Sequence, residues 1–206
     1  SYIRYLALFV YPVGFGLALT APISIPFFLS SKWEPAVIPT ALVSVALAII
    51  AVGYVPGVFY KAIGRPDILN KLAVIKLPCA VTILWVSTRW GINGVAAGQI
   101  LIAVFYVILD TLTVNKIMRY SVRELVQALF PGLISALVMA AALWGVWQAF
   151  HLDGLLGLMM MVALGGGVYF LTLLLVSRQT VIKGLSLLQE LVRQTGIVNL
   201  RAVSHE

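Results

Sequence analysis

Cysteine, histidine and charged residues are scarce in this 206-residue sequence. A single cysteine, Cys79, excludes an intramolecular disulfide and a multi-cysteine zinc site. Two histidines, His151 and His205, leave little for a metal cluster, and we expect no cofactor. Only 10% of the residues are Asp, Glu, Lys or Arg, against about 25% in a typical soluble domain. So few charges cannot cover a soluble surface, and the same scarcity excludes a disordered chain.

Apolar residues fill the sequence instead. The set AVILMFWYC makes up 62% of the chain, and the mean hydropathy is +1.05. The apolar runs are much longer than the roughly 10-residue alternating strands of a membrane barrel. We therefore predict an all-α, polytopic membrane protein.

The apolar runs are long enough for six transmembrane helices, since a helix needs about 20 residues to cross the hydrocarbon core. The six predicted spans cover residues 5–29, 35–60, 72–88, 92–114, 125–150 and 155–176, the third being the shortest. Residues 1–178 are thus predicted to form one six-helix bundle. In 179–206, apolar residues at helical spacing alternate with charged ones, which predicts a cytoplasmic amphipathic helix and tail.

Basic residues fall mainly on one side of the predicted membrane. If both termini are cytoplasmic, twelve of the fourteen Lys and Arg residues lie on the cytoplasmic side, and only Lys32 and Arg89 lie outside. The positive-inside rule therefore predicts cytoplasmic termini. It also accounts for the net charge of +7 without a nucleic-acid partner.

No set of residues in the sequence indicates catalysis. A phosphate-binding glycine loop followed by Lys-Ser/Thr and a His-Glu-x-x-His pair are both missing from the sequence. His151 and Asp153 stand in a short predicted outer loop, where a solvated turn is the expected setting. We expect that the protein is not an enzyme.

Polar residues inside the spans are the candidate substrate-binding groups, because an ionisable residue in the membrane usually faces a cavity or a partner. Gln99, Tyr106 and Asp110 follow one another on one predicted helix face. Asp110 lies either in a helix–helix contact with Tyr or Thr neighbours or in a water-filled transport cavity. Lys76 and Arg4, each near a cytoplasmic end of a span, either extend to the interface or contact an anionic headgroup.

Glycine pairs and prolines also occur within the spans. Gly53-x-x-x-Gly57, Gly94-x-x-x-Gly98 and the run 165–167 predict close helix packing. Prolines inside the first three spans, among them Pro12, Pro22, Pro26, Pro56 and Pro78, predict kinks or hinges, which are common in transporters.

Two segments resemble a known family. Residues 62–78, AIGRPDILNKLAVIKLP, and 89–98, RWGINGVAAG, are similar to the C-terminal half of bacterial polysaccharide-export flippases, within the multidrug/oligosaccharidyl-lipid/polysaccharide exporter superfamily. The segments YPVGFGL at 11–17 and FLSSKW at 28–33 resemble the family's helix and following turn. The similarity covers about residues 4–176.

The resemblance implies one lobe of a two-lobed transporter in the bacterial inner membrane. Its substrate would be undecaprenyl-diphosphate-linked oligosaccharide, and its partners membrane lipids, the missing N-terminal lobe, and a polysaccharide polymerase or glycosyltransferases. We expect the chain to be a piece of a longer protein. The family-like loop Gly64-Arg65-Pro66 is interpreted from its residues as a turn in which Gly permits the bend, Pro ends the helix and Arg65 meets anionic lipid.

Two other functions are compatible with the same sequence. One is a drug or metabolite exporter of this superfamily that couples Na⁺ or H⁺ through Asp110. The other is a membrane scaffold that holds polysaccharide-synthesis enzymes on its basic cytoplasmic face, which includes Arg119 and Arg123.

Overall fold

A computed structural model describes residues 2–53, 57, 60–61, 64–118, 122–150 and 154–177. These residues form helices and turns and contain no strand. The long helices are α1 (Tyr2–Leu29), α2 (Val37–Gly53), α3 (Asp67–Ser87), α4 (Gly91–Met118), α5 (Val122–Phe150) and α6 (Gly154–Ser177). The predicted amphipathic helix at 179–206 lies outside the described residues.

The helices are long and apolar enough to cross a membrane. Five helical stretches in the described part of the chain meet that criterion. One of them, Asp67–Ile117, has 51 residues and contains both α3 and α4, separated by a short 3₁₀ turn at Thr88–Trp90. Large apolar side chains such as Phe9, Trp85 and Leu156 remain mostly exposed. An all-helical membrane bundle, as predicted from the composition, accounts for both observations.

The helices pack in an order that differs from their order in the chain. α1 lies between α2 and α5, and α2 lies between α1 and α4. α3 packs on α4. α6 reaches α1 through Tyr169 and α5 through Gly165. A polar group shared by α3 and α4 therefore lies on the opposite side of α1 and α2 from the α5–α6 pair.

The largest apolar core lies where α1, α5 and α6 meet. Its fully buried members include Ala7, Ala136 and Met161. A smaller core joins Tyr60 to Ile68 and Leu72 of α3. The smaller core lies directly beside the polar groups described below.

Close packing of α3 and α4 depends on glycine. A Cβ at Gly94 would lie 2.5 Å from the carbonyl oxygen of Ser87, and a Cβ at Gly98 would lie 2.5 Å from the Ser87 Oγ. The neighbour of Gly94 is backbone, so that position admits only glycine at this helix separation, whereas a side chain at Gly98 would require the Ser87 hydroxyl to turn away. The packing predicted from Gly94-x-x-x-Gly98 is confirmed. In the 165–167 run Gly165 packs on Leu143, whereas Gly166 and Gly167 have open space around the Cβ position.

A proline in α1 leaves one backbone carbonyl without its helical donor. Pro12 has no N–H, so the carbonyl of Leu8, four residues earlier, cannot receive the usual helical hydrogen bond. The Tyr169 hydroxyl of α6 donates a hydrogen bond of 2.7 Å to that carbonyl. A tertiary contact thus replaces the bond that proline removes.

We expect Tyr169→Phe to lower the free energy of unfolding by about 1–3 kcal/mol, because it leaves a partly buried carbonyl without a donor. Pro12→Ala restores the amide donor to Leu8, so the same substitution in a Pro12→Ala background should cost clearly less. Denaturation of the four proteins in detergent measures both costs. Equal costs in the two backgrounds would contradict the assignment.

Candidate functional site

An ion pair joins α3 to α4. The Nζ of Lys76 lies 2.6 Å from Oδ1 and 2.7 Å from Oδ2 of Asp110, so the ammonium donates to both carboxylate oxygens. The side chains are only 19% and 9% exposed, respectively. Both charged groups stand well inside apolar helices, where an unpaired charge is costly. Each therefore stabilises the other.

Tyr106 of α4 also contacts Lys76. It lies four residues before Asp110 on the same helix face, as the sequence spacing predicts. Its ring centroid is 4.9 Å from the Lys76 Nζ, which allows a cation–π contact. Its hydroxyl donates a 3.3 Å hydrogen bond to the Lys76 carbonyl. Tyr106 thus contacts Lys76 at both the backbone and the ammonium.

Helix register brings Lys76 and Asp110 together. Gly98 of α4 lies beside Ser87 of α3, and the two helices run in opposite directions from that point. Lys76 is eleven residues before Ser87, and Asp110 is twelve residues after Gly98. These nearly equal separations place the two side chains at the same level of the hairpin.

Two further residues surround Asp110. Tyr60 is fully buried and close enough to interact electrostatically with the carboxylate. At Gly53 of α2, a Cβ would lie 3.8 Å from the Asp110 Oδ2. Sequence reasoning missed Tyr60 altogether and assigned Gly53 only to helix packing. Gly53 and Gly57 both line the cavity, and their spacing was the signal in the sequence that could have indicated a site here.

A cavity of about 220 Å³ opens beside the ion pair. Lys76, Tyr106 and Asp110 supply its polar wall. Ile50 and Leu69 form its apolar wall, and Gly53 and Gly57 leave space between the helices. Its volume equals that of about seven water molecules at roughly 30 Å³ each, and it is smaller than the ~300–1,000 Å³ of pockets that hold drug-sized ligands. The space suits a small polar group rather than a sugar chain.

Comparison of the chain with family models, curated proteins and solved structures finds no match. The site is therefore defined by its own geometry. Three of the five predicted substrate-binding residues, Lys76, Tyr106 and Asp110, come together at one cavity.

The other two predicted residues, Arg4 and Gln99, do not line this cavity. Gln99 lies two turns before Tyr106 on α4 and is half-buried. Arg4 is in the first turns of α1, which packs mainly on α2 and α5. Their assignment as substrate-binding residues stays a prediction.

The Gly64-Arg65-Pro66 segment forms a turn between Tyr60 and α3. The Gly64 amide donates to the Lys61 carbonyl and the Arg65 amide to the Tyr60 carbonyl, which are the two hydrogen bonds of a Schellman motif. Gly64 has φ +70°, a conformation that glycine adopts without strain. Arg65, 57% exposed, lies 3.6 Å from Asp67. The predicted turn at Gly64 is confirmed, and Arg65 is exposed. The expectation that Pro66 ends a helix is wrong, because Pro66 is the N-cap residue at which α3 begins.

The described residues offer no group of three Cys, His, Asp or Glu side chains that could hold a metal ion. Cys79 is half-buried on α3, three residues after Lys76. His151 and Asp153 lie outside the described residues. The described residues that line the cavity thus supply an ammonium, a carboxylate and one phenol.

Proposed function

We propose that the chain is one six-helix lobe of a transporter that flips undecaprenyl-diphosphate-linked oligosaccharide across the bacterial inner membrane. The observation that carries the proposal is the Lys76–Asp110 ion pair beside a cavity inside otherwise apolar helices. Charged groups in a membrane protein usually mark a substrate or ion pathway. The resemblance of residues 62–78 and 89–98 to polysaccharide-export flippases supplies the substrate class.

The lengths of the helices and the positions of the exposed basic residues support six membrane crossings with both termini in the cytoplasm. α3, the shortest predicted span, has 21 residues and is about 31 Å long at 1.5 Å per residue. Exposed Lys61, Arg65 and Lys71 lie together at its start, and exposed Lys116 is near the end of α4. These four residues are all on the proposed cytoplasmic side, where anionic lipid attracts basic groups.

The cavity suits the anionic part of such a substrate. A diphosphate needs a cation and hydrogen-bond donors, and the Lys76 ammonium supplies both. The sugar chain needs more space than about 220 Å³, so it would occupy the volume between this lobe and a second one. An exporter that couples Na⁺ through Asp110 is less well supported, because the Lys76 ammonium already occupies both carboxylate oxygens. The scaffold function depends on Arg119 and Arg123, whose side chains lie outside the described residues.

We expect Lys76→Gln in the full-length protein to slow lipid-linked glycan flipping at least about tenfold, because a charge-assisted hydrogen bond contributes about 1.5–3 kcal/mol. The measurement is the amount of lipid-linked glycan that accumulates on the cytoplasmic side of cells carrying the variant. Lys71 is an exposed lysine of the same helix, so Lys71→Gln is the matched control. This variant should flip lipid-linked glycan at the normal rate. Normal surface polysaccharide in cells that lack the gene would contradict the proposal.

A further inference from the structure

The ammonium of Lys76 is the one cation among the residues that line the described cavity, and Asp110 occupies it. An anion that enters the cavity therefore competes with Asp110 for the same donor. If the anion displaces Asp110, two negative groups share one positive group. Inside a membrane the extra negative charge is costly. Anion binding at this place requires that the charge be neutralised.

We propose that the cavity is a proton-linked anion site, in which a phosphate-type anion binds Lys76 in place of Asp110 and Asp110 takes up one proton from water. The only covalent change is the new O–H bond on a carboxylate oxygen. The inference deepens the proposed function and rests on it for one point, that the natural anion is the diphosphate of the lipid-linked substrate. The binding chemistry itself can be tested without transport.

The surroundings of Asp110 favour a proton over a metal cation. Among the described lining residues, side-chain oxygens come only from Asp110 and Tyr106, Lys76 supplies an ammonium, and the other four are apolar or glycine. Hard cations need several oxygen ligands, commonly six or more for divalent ions. A proton needs one. The donor set therefore fits neutralisation of Asp110 by H⁺.

Asp110 is the acidic group and Lys76 the basic group among the described residues that line the cavity. α3 presents Lys76 to Asp110, α4 presents Tyr106 to Lys76, and Tyr60 approaches from the segment before the Gly64 turn. α2 contributes Gly53 and Ile50, which do not titrate. Tyrosine hydroxyls in water ionise only near pH 10. Proton uptake at pH 6–7 is therefore assigned to Asp110.

Calorimetric titration of sulfate into the full-length protein in phosphatidylcholine nanodiscs tests the proposal. Sulfate is a suitable probe because it does not change its own charge between pH 5 and 8. Titrations at one pH in buffers of different ionisation enthalpy count the protons that accompany binding. We expect about one proton taken up per sulfate, and affinity that falls about tenfold for each pH unit above neutrality.

Two variants separate the roles of the pair. Asp110→Asn should bind sulfate without proton uptake and with no pH dependence, whereas Lys76→Gln should lose binding at least tenfold. Lys71→Gln should behave as the unmodified protein. If neither cavity variant folds, the number of protons taken up per sulfate by the unmodified protein still tests the proposal.

Four outcomes would overturn the inference. They are no sulfate binding, a proton count of zero, a requirement for Na⁺, and unchanged binding by Lys76→Gln. Failure of the proposed function is a separate result. Proton-linked sulfate binding together with normal surface polysaccharide in cells without the gene would remove the glycan substrate and leave the proton-linked anion site.

Discussion

Asp110→Ala is expected to lower the free energy of unfolding by about 3–5 kcal/mol, because it leaves the Lys76 ammonium buried without its partner. Among the described residues, the other contact to that ammonium is the Tyr106 ring at 4.9 Å. Cation–π energies of about 0.5–2 kcal/mol cannot replace an ion pair with two hydrogen bonds. The measurement is reversible denaturation of the full-length protein in detergent.

Two controls show whether the loss comes from an unpaired charge. The double variant Lys76→Met/Asp110→Leu removes both charges and should be within about 1 kcal/mol of the unmodified protein, because apolar replacement of a whole pair is often neutral. Asp67→Ala breaks the exposed ion pairs of Asp67 with Lys71 and Arg65, where the oxygen–nitrogen distances are 3.5 and 3.6 Å. That loss should be below about 0.5 kcal/mol. A double variant as unstable as Asp110→Ala would show that packing rather than charge explains the result.

Gly14→Leu is expected to be the other strongly destabilising change, by about 3 kcal/mol or more. A Cβ at this position would overlap the Ala48 side chain and lie 2.9 Å from the carbonyl oxygen of Ser44. A carbonyl on α2 cannot move aside as a flexible side chain can. α1 and α2 must therefore separate along much of their shared face. Thermal unfolding in detergent measures the loss.

Gly16 of the same helix is the matched control. A Cβ there has no neighbour within 4 Å, so Gly16→Ala should be neutral or should stabilise the helix by up to about 1 kcal/mol through helix propensity. If Gly14→Leu were tolerated as well as Gly16→Ala, α1 and α2 would not pack as closely as described.

Helix positions were predictable from the sequence, because span length and apolarity follow directly from the thickness of a bilayer. The predicted third span began at residue 72, whereas α3 begins at Asp67. Lys71 and Asp67 lowered the apparent hydrophobicity of its first turns, although both side chains are exposed. A charged residue on the exposed side of a helix end does not stop the helix.

Part of the site was predictable and part was not. The sequence identifies three of its residues as separate candidates, because each is polar within an apolar span: Asp110, Tyr106 and Lys76. Their meeting depends on the register between α3 and α4, which Gly98 sets by lying against Ser87. That contact is made between helices, so it leaves no periodic signal in either one. The role of Tyr60 was hidden for the same reason.

The ion pair also affects how the protein is made. Lys76 and Asp110 are 34 residues apart, and either charge alone opposes insertion of its helix by about 2.5–3.5 kcal/mol. At about 5–20 residues per second, Asp110 emerges from the ribosome roughly 2–7 s after Lys76. A translocon that releases α3 before α4 arrives would expose an unpaired ammonium to lipid. Co-insertion of the two helices as a hairpin avoids that intermediate, so we expect α3 to leave the translocon only after α4 has been synthesised.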